Sequence, residues 1–279
     1  MVLALLAACS RPQSARAQDT LLFCNNPERI SQPGAHADAL LAAGKTYTIF
    51  YHYKNMTASS GPFVIALHGS GGPLQFTARQ GMADAQRDPP NAGRQAMARF
   101  LSAPERTMTG RAGTARYAYT LAPRQVASGI LQVKCEKATR LRIYFRHDRW
   151  TVPGARAVAV EAPRREIDIP LTTDAKQQYF RIGEPEPGMS SHLDGTYGML
   201  YAFKVAAPEG RRVRVAFSPR GGKGGMVGSI NGRMRQSGII PATHWRVFCE
   251  TIVGPNGMVL TTSPFGGVFY PVELLFELI

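Results

Sequence analysis

Apolar and polar residues alternate along most of the chain from Leu21 onward, the period-two signature of strands with one face in a core and one in water. The pattern predicts strands at 45–54 (KTYTIFYHYK), 62–68 (PFVIALH), 115–121 (ARYAYTL), 129–135 (GILQVKC) and 140–147 (RLRIYFRH). Segments 156–161, 165–171, 178–182, 196–205, 212–217, 245–253 and 268–278 extend the series, separated by glycine- and proline-rich punctuation. One segment departs from it: 91–102 has helical spacing, with Asn91 placed to cap it. The expected fold is mainly β, with antiparallel β-sandwiches of Ig-like or jelly-roll-like type and at most one or two short helices.

An internal repeat organises these strands. Residues 46–72 align without a gap on 196–222, at an offset of 150 positions. Thr46, Tyr47, Tyr51, Lys54, Ala66, Gly71 and Gly72 recur as Thr196, Tyr197, Tyr201, Lys204, Ala216, Gly221 and Gly222. Apolar positions correspond as well: Phe50 with Leu200, Tyr53 with Phe203, Phe63 with Val213, Ile65 with Val215 and Leu67 with Phe217. Outside this stretch Ala92-Gly93-Arg94 resembles Asn231-Gly232-Arg233. Duplication predicts two tandem sandwiches, at 21–148 and 178–279. Residues 149–177 would form a connecting segment with strand character. The tyrosines at 47, 51, 53, 197 and 201 lie on a strand face that is apolar in both halves, which places them in cores rather than on a surface.

The first twenty residues read differently. Leu6-Ala7-Ala8-Cys9 resembles the lipobox of bacterial lipoproteins, in which the cysteine is the lipidated residue. The apolar segment before it is short and lacks a positive start, which points to a start codon further upstream. Ala15-Arg16-Ala17 offers an ordinary signal-cleavage pattern instead. Both readings predict an exported protein, lipid-anchored in the cell envelope or released outside the cytoplasm, with 10–20 as a tether. The remaining cysteines, Cys24, Cys135 and Cys249, allow one disulfide in any of three pairings, or three buried thiols.

Charge narrows the expected partners. Lys and Arg number 33 against 19 acids, a net charge of +14, and with only 7 Lys the rest are Arg. Such a surplus favours anionic partners. Arg140, Arg142 and Arg146 alternate with Leu141, Ile143 and Phe145, as Arg212 and Arg214 do with Val213 and Val215. Arg220 and Lys223 sit in the glycine-rich loop RGGKGG, whose amides and cations could cradle an anion. These seven residues are the candidate anion-binding set.

No catalytic constellation is legible. Leu67-His68-Gly69-Ser70-Gly71-Gly72 is similar to the oxyanion segment of α/β-hydrolases, but the Gly-x-Ser-x-Gly elbow that fold requires is absent and 188–192 (GMSSH) lacks its second glycine. The six histidines are scattered without metal-ligand spacing, no cofactor motif occurs, and no nucleic-acid module is recognisable. The expectation is a non-enzymatic envelope protein that binds anionic polysaccharide or another envelope component. The alternative is a secreted polysaccharide-acting enzyme with its site between the two domains.

Overall fold

The computed structural model describes residues 19–26, 28–161, 164–184 and 195–279. The lipobox, Cys9 and most of the tether lie outside the described residues, as do 188–192. Among the described residues twenty strands and one helix build four sheets.

In the first half, one sheet runs β11 (Arg156–Glu161), β1 (Thr20–Asn26), β4 (Thr46–Asn55), β9 (Val126–Cys135), β6 (Leu74–Met82) and β7 (Arg106–Gly110), with the short β2 (Arg29–Ile30) also on β4. Its partner sheet runs β3 (Gly34–Leu41), β10 (Thr139–Phe145), β5 (Gly61–Gly69) and β8 (Thr114–Leu121). The second half has β12 (Arg164–Pro170), β14 (Leu200–Ala206), β19 (Met258–Thr262), β16 (Val227–Ile230) and β17 (Arg233–Gln236) in one sheet. Facing it are β13 (Gln177–Ile182), β20 (Val272–Leu278), β15 (Arg212–Pro219) and β18 (Arg246–Ile252).

The two halves repeat one topology. Strands β1, β3 and β4 through β10 occupy the places of β12 through β20, and consecutive strands cross between sheets in jelly-roll fashion except at β6–β7 and β16–β17, which pair within one sheet. Register repeats too. Tyr51 faces Gly129 as Tyr201 faces Thr262, and Phe63 faces Phe145 as Val213 faces Leu278. Gly129 and Thr262, like Phe145 and Leu278, stand 133 positions apart, so β9 and β10 moved together. The sandwiches are not wholly antiparallel, because β1 runs parallel to β4 and β12 parallel to β14. The stretch 149–177 divides between the halves: β11 pairs with β1, whereas β12 and β13 join the second pair of sheets.

Each sandwich has its own core. Tyr51 and Tyr53 lie against Phe63 with ring centroids 5.8 and 5.7 Å apart, and Phe203 meets Phe276 at 5.1 Å. Burying each of these rings contributes about 1.5–3 kcal/mol. Tyr47 is also in the first core, but Tyr197 is not its counterpart. Thr196 and Gly198 take positive φ (+40° and +83°), so β14 starts only at Leu200 and Tyr197 swings out to the junction between the sandwiches. There it stacks on Phe50, 5.8 Å away, which stacks on Phe23 at 5.4 Å. Leu21, Ile130, Leu200, Val227, Phe265 and Val268 complete a third apolar cluster shared by both halves.

The helix α1 (Pro89–Ser102) is wedged into this junction, against β6 and β9 on one side and β16 and β17 on the other. Its cap is Asp88, not Asn91: the Asp88 carboxylate accepts the Asn91 amide at 3.3 Å. Pro89 and Pro90 fill the first turn, where no amide hydrogen is needed. The Arg94 guanidinium donates to the Ser237 carbonyl across the junction at 3.1 Å. The resemblance of 92–94 to 231–233 has no structural basis, since the first lies inside α1 and the second forms the turn between β16 and β17.

Cys24, Cys135 and Cys249 are free and buried, so no disulfide links them. Burial pushes the Cys24 thiol up to about 12 and the Cys249 thiol to about 11. Thiolates are therefore scarce at neutral pH. With Cys9 replaced by serine, a disulfide reagent should label the native protein slowly and titrate three thiols only after denaturant is added. A thiol that reacts at once in the folded protein would contradict this.

Candidate functional site

The outer face of β13–β20–β15–β18 carries the most exposed aromatic pair of the described surface. Strand β13 alternates, sending Phe180 and Ile182 into the core and Tyr179 and Arg181 outward. Tyr179 sits on one edge strand of the sheet, and Trp245 directly precedes the other edge strand, β18. Their rings nevertheless meet edge to face at 6.1 Å, so the two side chains together bridge the intervening strands. Tyr179 is 57% exposed and Trp245 43%. Large rings held this open are costly surface unless something covers them.

Polar groups frame the pair. The Arg220 guanidinium lies 5.4 Å from the Trp245 ring centre and donates to Glu273 at 2.9 Å. Arg181 donates to the same carboxylate at 3.2 Å and to Glu184 at 3.3 Å. Partial burial pushes the Glu273 carboxyl up, but the bonds from Arg220 and Arg181 outweigh it and hold it below the usual range. On the other flank Arg214 bridges Glu250 at 2.8 Å and Glu277 at 3.2 Å, and Gln177 donates to Glu277 at 2.6 Å. These groups offer planar donors and acceptors beside an aromatic surface, a combination that suits stacking and hydroxyl recognition.

The sequence-derived set is thus dispersed. Arg212, Arg214 and Arg220 fall on this one face, but each meets a carboxylate: Glu250 for Arg212, Glu250 and Glu277 for Arg214, Glu273 for Arg220. Lys223 is exposed in the loop beyond Arg220. Arg140 and Arg142 share the corresponding face of the first sandwich and converge on Asp38, with Arg142 also 3.5 Å from Asp148. Arg146 lies past the end of β10 at φ +67° and donates to the Ser60 carbonyl, away from both. Arginines on these faces are therefore partly neutralised by acids from neighbouring strands.

The first sandwich closes the equivalent face with its own chain. Residues 150–152 run beside the start of β3, where the Ala35 amide donates to the Trp150 carbonyl at 2.9 Å. Arg142 donates to the Asp148 carbonyl at 2.8 Å, and Ala35, Val64, Ala66 and Tyr144 are buried beneath. Trp150 is exposed on this side and meets the half-buried His147 edge to face at 4.2 Å, so among the described residues Tyr179 and Trp245 form the aromatic pair in which both rings lie open. Among the described residues no group of His, Cys, Asp or Glu is arranged to hold a metal ion.

No protein-family model matches the chain, and no curated protein matches it. Among solved structures it is similar to the N-terminal CBM22-1-CBM22-2 tandem domain of Xyn10C from Paenibacillus barcinonensis, at 10% identity, 81% coverage of each chain and a TM-score of 0.20. It is also similar to Lac15 from a marine microbial metagenome, at 9% identity over 94% of this chain and 61% of that one, with a TM-score of 0.18. Likenesses this slight carry no functional argument.

Proposed function

We propose that this protein binds glycan chains on the outer face of β13–β20–β15–β18, with Trp245 and Tyr179 as the stacking platform. The exposed edge-to-face pair at 6.1 Å, on a sheet otherwise laced with charge, is the observation that carries the reading. Sugar rings present C–H faces that pack on aromatic rings, and their hydroxyls take planar donors and acceptors such as Arg220, Glu273, Arg181 and Gln177. The net charge of +14 supports an acidic polymer over a neutral one. The lipobox-like start of the chain supports the cell envelope as its place of action. Cys9 would then be the anchor, and an anionic envelope polysaccharide the ligand.

Retention on immobilised polysaccharides tests this. A uronic acid-containing polymer should retain the protein, and retention should weaken as salt rises, because exposed charges are screened over about 8 Å at physiological ionic strength. Trp245→Ala should weaken retention roughly 30-fold, the loss expected when a central aromatic anchor worth about 2 kcal/mol is truncated. Its melting temperature should stay close to that of the parent, since the ring lies on the surface. Equal retention of the variant would overturn the site. Equal retention on a neutral polymer, unaffected by salt, would overturn the anionic specificity alone.

A further inference from the structure

The second sandwich has a further feature of a different kind, at the edge where its two sheets part. Strand β17 is the last strand of its sheet. Its register on β16 sets Arg233 beside Ile230 and Arg235 beside Gly228. Ile230 belongs to the second core, so both arginines stand on the inner face of the strand. Met234 between them turns the opposite way, into the apolar junction. The two arginines, with Cα atoms about 7 Å apart, therefore project into one cleft of about 300 Å³ between β17 and β18. Across it β18 contributes Cys249 and Thr251, which share the inner face through their pairing with Val215 and Val213. Glu250 lines the cleft as well, but its carboxylate accepts from Arg214 at 2.8 Å and lies 3.8 Å from Arg212. Arg233 and Arg235 are exposed and, unlike those two, form no ion pair among the described residues.

The fold alone does not call for cations at this place. In the first sandwich β7 stands where β17 stands in the second, and it sends Met108 inward beside Phe76, into a cleft with an apolar floor. The two mouths share a topology and differ in chemistry. Two unanswered positive charges select a ligand group with about two negative ones. A phosphate monoester carries about −1.5 to −2 at neutral pH and presents three terminal oxygens. A carboxylate carries one charge on two coplanar oxygens, which a single guanidinium fork satisfies. The tetrahedral group instead meets both forks of β17 on one side and the Thr251 hydroxyl on the other. Asn231 adds its NH2 group at the turn, since its Oδ1 already accepts the Val259 amide at 2.8 Å. The volume is at the low end of small-molecule sites, with room for the phosphate and a small group that carries it. Ile230 and Cys249 give that group an apolar wall. We infer that the β17–β18 cleft binds a small phosphate monoester, independently of the glycan face.

Methyl phosphate, methyl sulfate and acetate are the probes, titrated into the intact protein with amide and guanidinium Nε–H chemical shifts as readout. Methyl phosphate should shift the signals of Arg233, Arg235 and Thr251 saturably. Methyl sulfate and acetate, with one charge each, should bind roughly tenfold more weakly, the loss of one charge-assisted bond. Replacing Arg233 and Arg235 together by Gln should bring methyl phosphate affinity down to that of acetate. The melting temperature should stay close to that of the parent, because both side chains are exposed. Methyl phosphate binding no tighter than acetate in the parent protein would overturn the assignment even if the variant misfolded. Shifts confined to other residues, or a double variant that binds as the parent does, would overturn it too. Trp245→Ala should leave methyl phosphate binding unchanged; a loss matching that of glycan retention would overturn the independence of the cleft.

Discussion

Gly93→Ala is expected to destabilise the protein, although alanine is the better helix former by about 1 kcal/mol in a helix interior. Gly93 lies inside α1 and faces the second sandwich, where a Cβ would overlap the Gly266 carbonyl. The opposite side of the helix is as tight, since a Cβ on Gly81 of β6 would overlap the Ala96 carbonyl and the Phe100 amide. The helix is thus held between two backbones, and neither neighbour is a flexible side chain that could give way. Overpacking a filled site costs about 1–3 kcal/mol and more where backbone must move, so the clash outweighs the gain in propensity. The junction would open along Phe50, Tyr197 and Phe265, which exposes apolar surface from both halves. Thermal melting should show a lower midpoint for Gly93→Ala and increased binding of a hydrophobic dye. A midpoint raised by the substitution would mean that the sandwiches are not pressed together here.

The second large effect is acid sensitivity at the same junction. His52 on β4 is almost fully buried: its Nδ1 lies 2.9 Å from the Ser128 hydroxyl, and Gly266 packs on its ring. Burial holds the imidazole at about 4, well below its ordinary value of 6.5. The folded state therefore keeps His52 neutral where the unfolded state protonates it. Its contribution to stability is full above about pH 6.5 and shrinks as pH falls toward about 4. At about 1.36 kcal/mol per pH unit, roughly 3 kcal/mol disappears across that window. The Glu28 carboxylate, 3.8 Å from Nε2, is the nearest acid, and burial pushes its pKa up, which offsets part of the loss. Urea unfolding at pH 7 and pH 4.5 should show the difference, and His52→Gln should flatten it. A pH dependence identical in parent and variant would place the acid sensitivity elsewhere.

How far these features could be read from the chain depends on where their causes lie. Strands β4, β5, β14 and β15 were legible because alternation and the 150-residue offset both act locally. Strands β3 (GAHADALL) and β17 (RMRQ) were not, because small or polar residues adopt strand geometry only when a neighbouring sheet supplies hydrogen bonds and cover. The alternating arginines were visible as an outward face, yet their neutralisation was not. Asp38 answers Arg140 from 102 positions away, a pairing created only by the register of β3 on β10. Tyr179 and Trp245 likewise show no joint signal along the chain. They become a pair because β13 and β18 are the two edges of one sheet, and the only local hint is a tryptophan directly before a strand.

The glycan face can be read directly through its own tryptophan. The chain has two, so Trp150→Phe leaves Trp245 as the sole reporter. Titrating this variant with the uronic acid-containing polymer should change the Trp245 emission saturably, at the same concentrations that govern retention of the parent protein. Saturable binding of the polymer with the emission of Trp245 unchanged would contradict the account and move the site off this face.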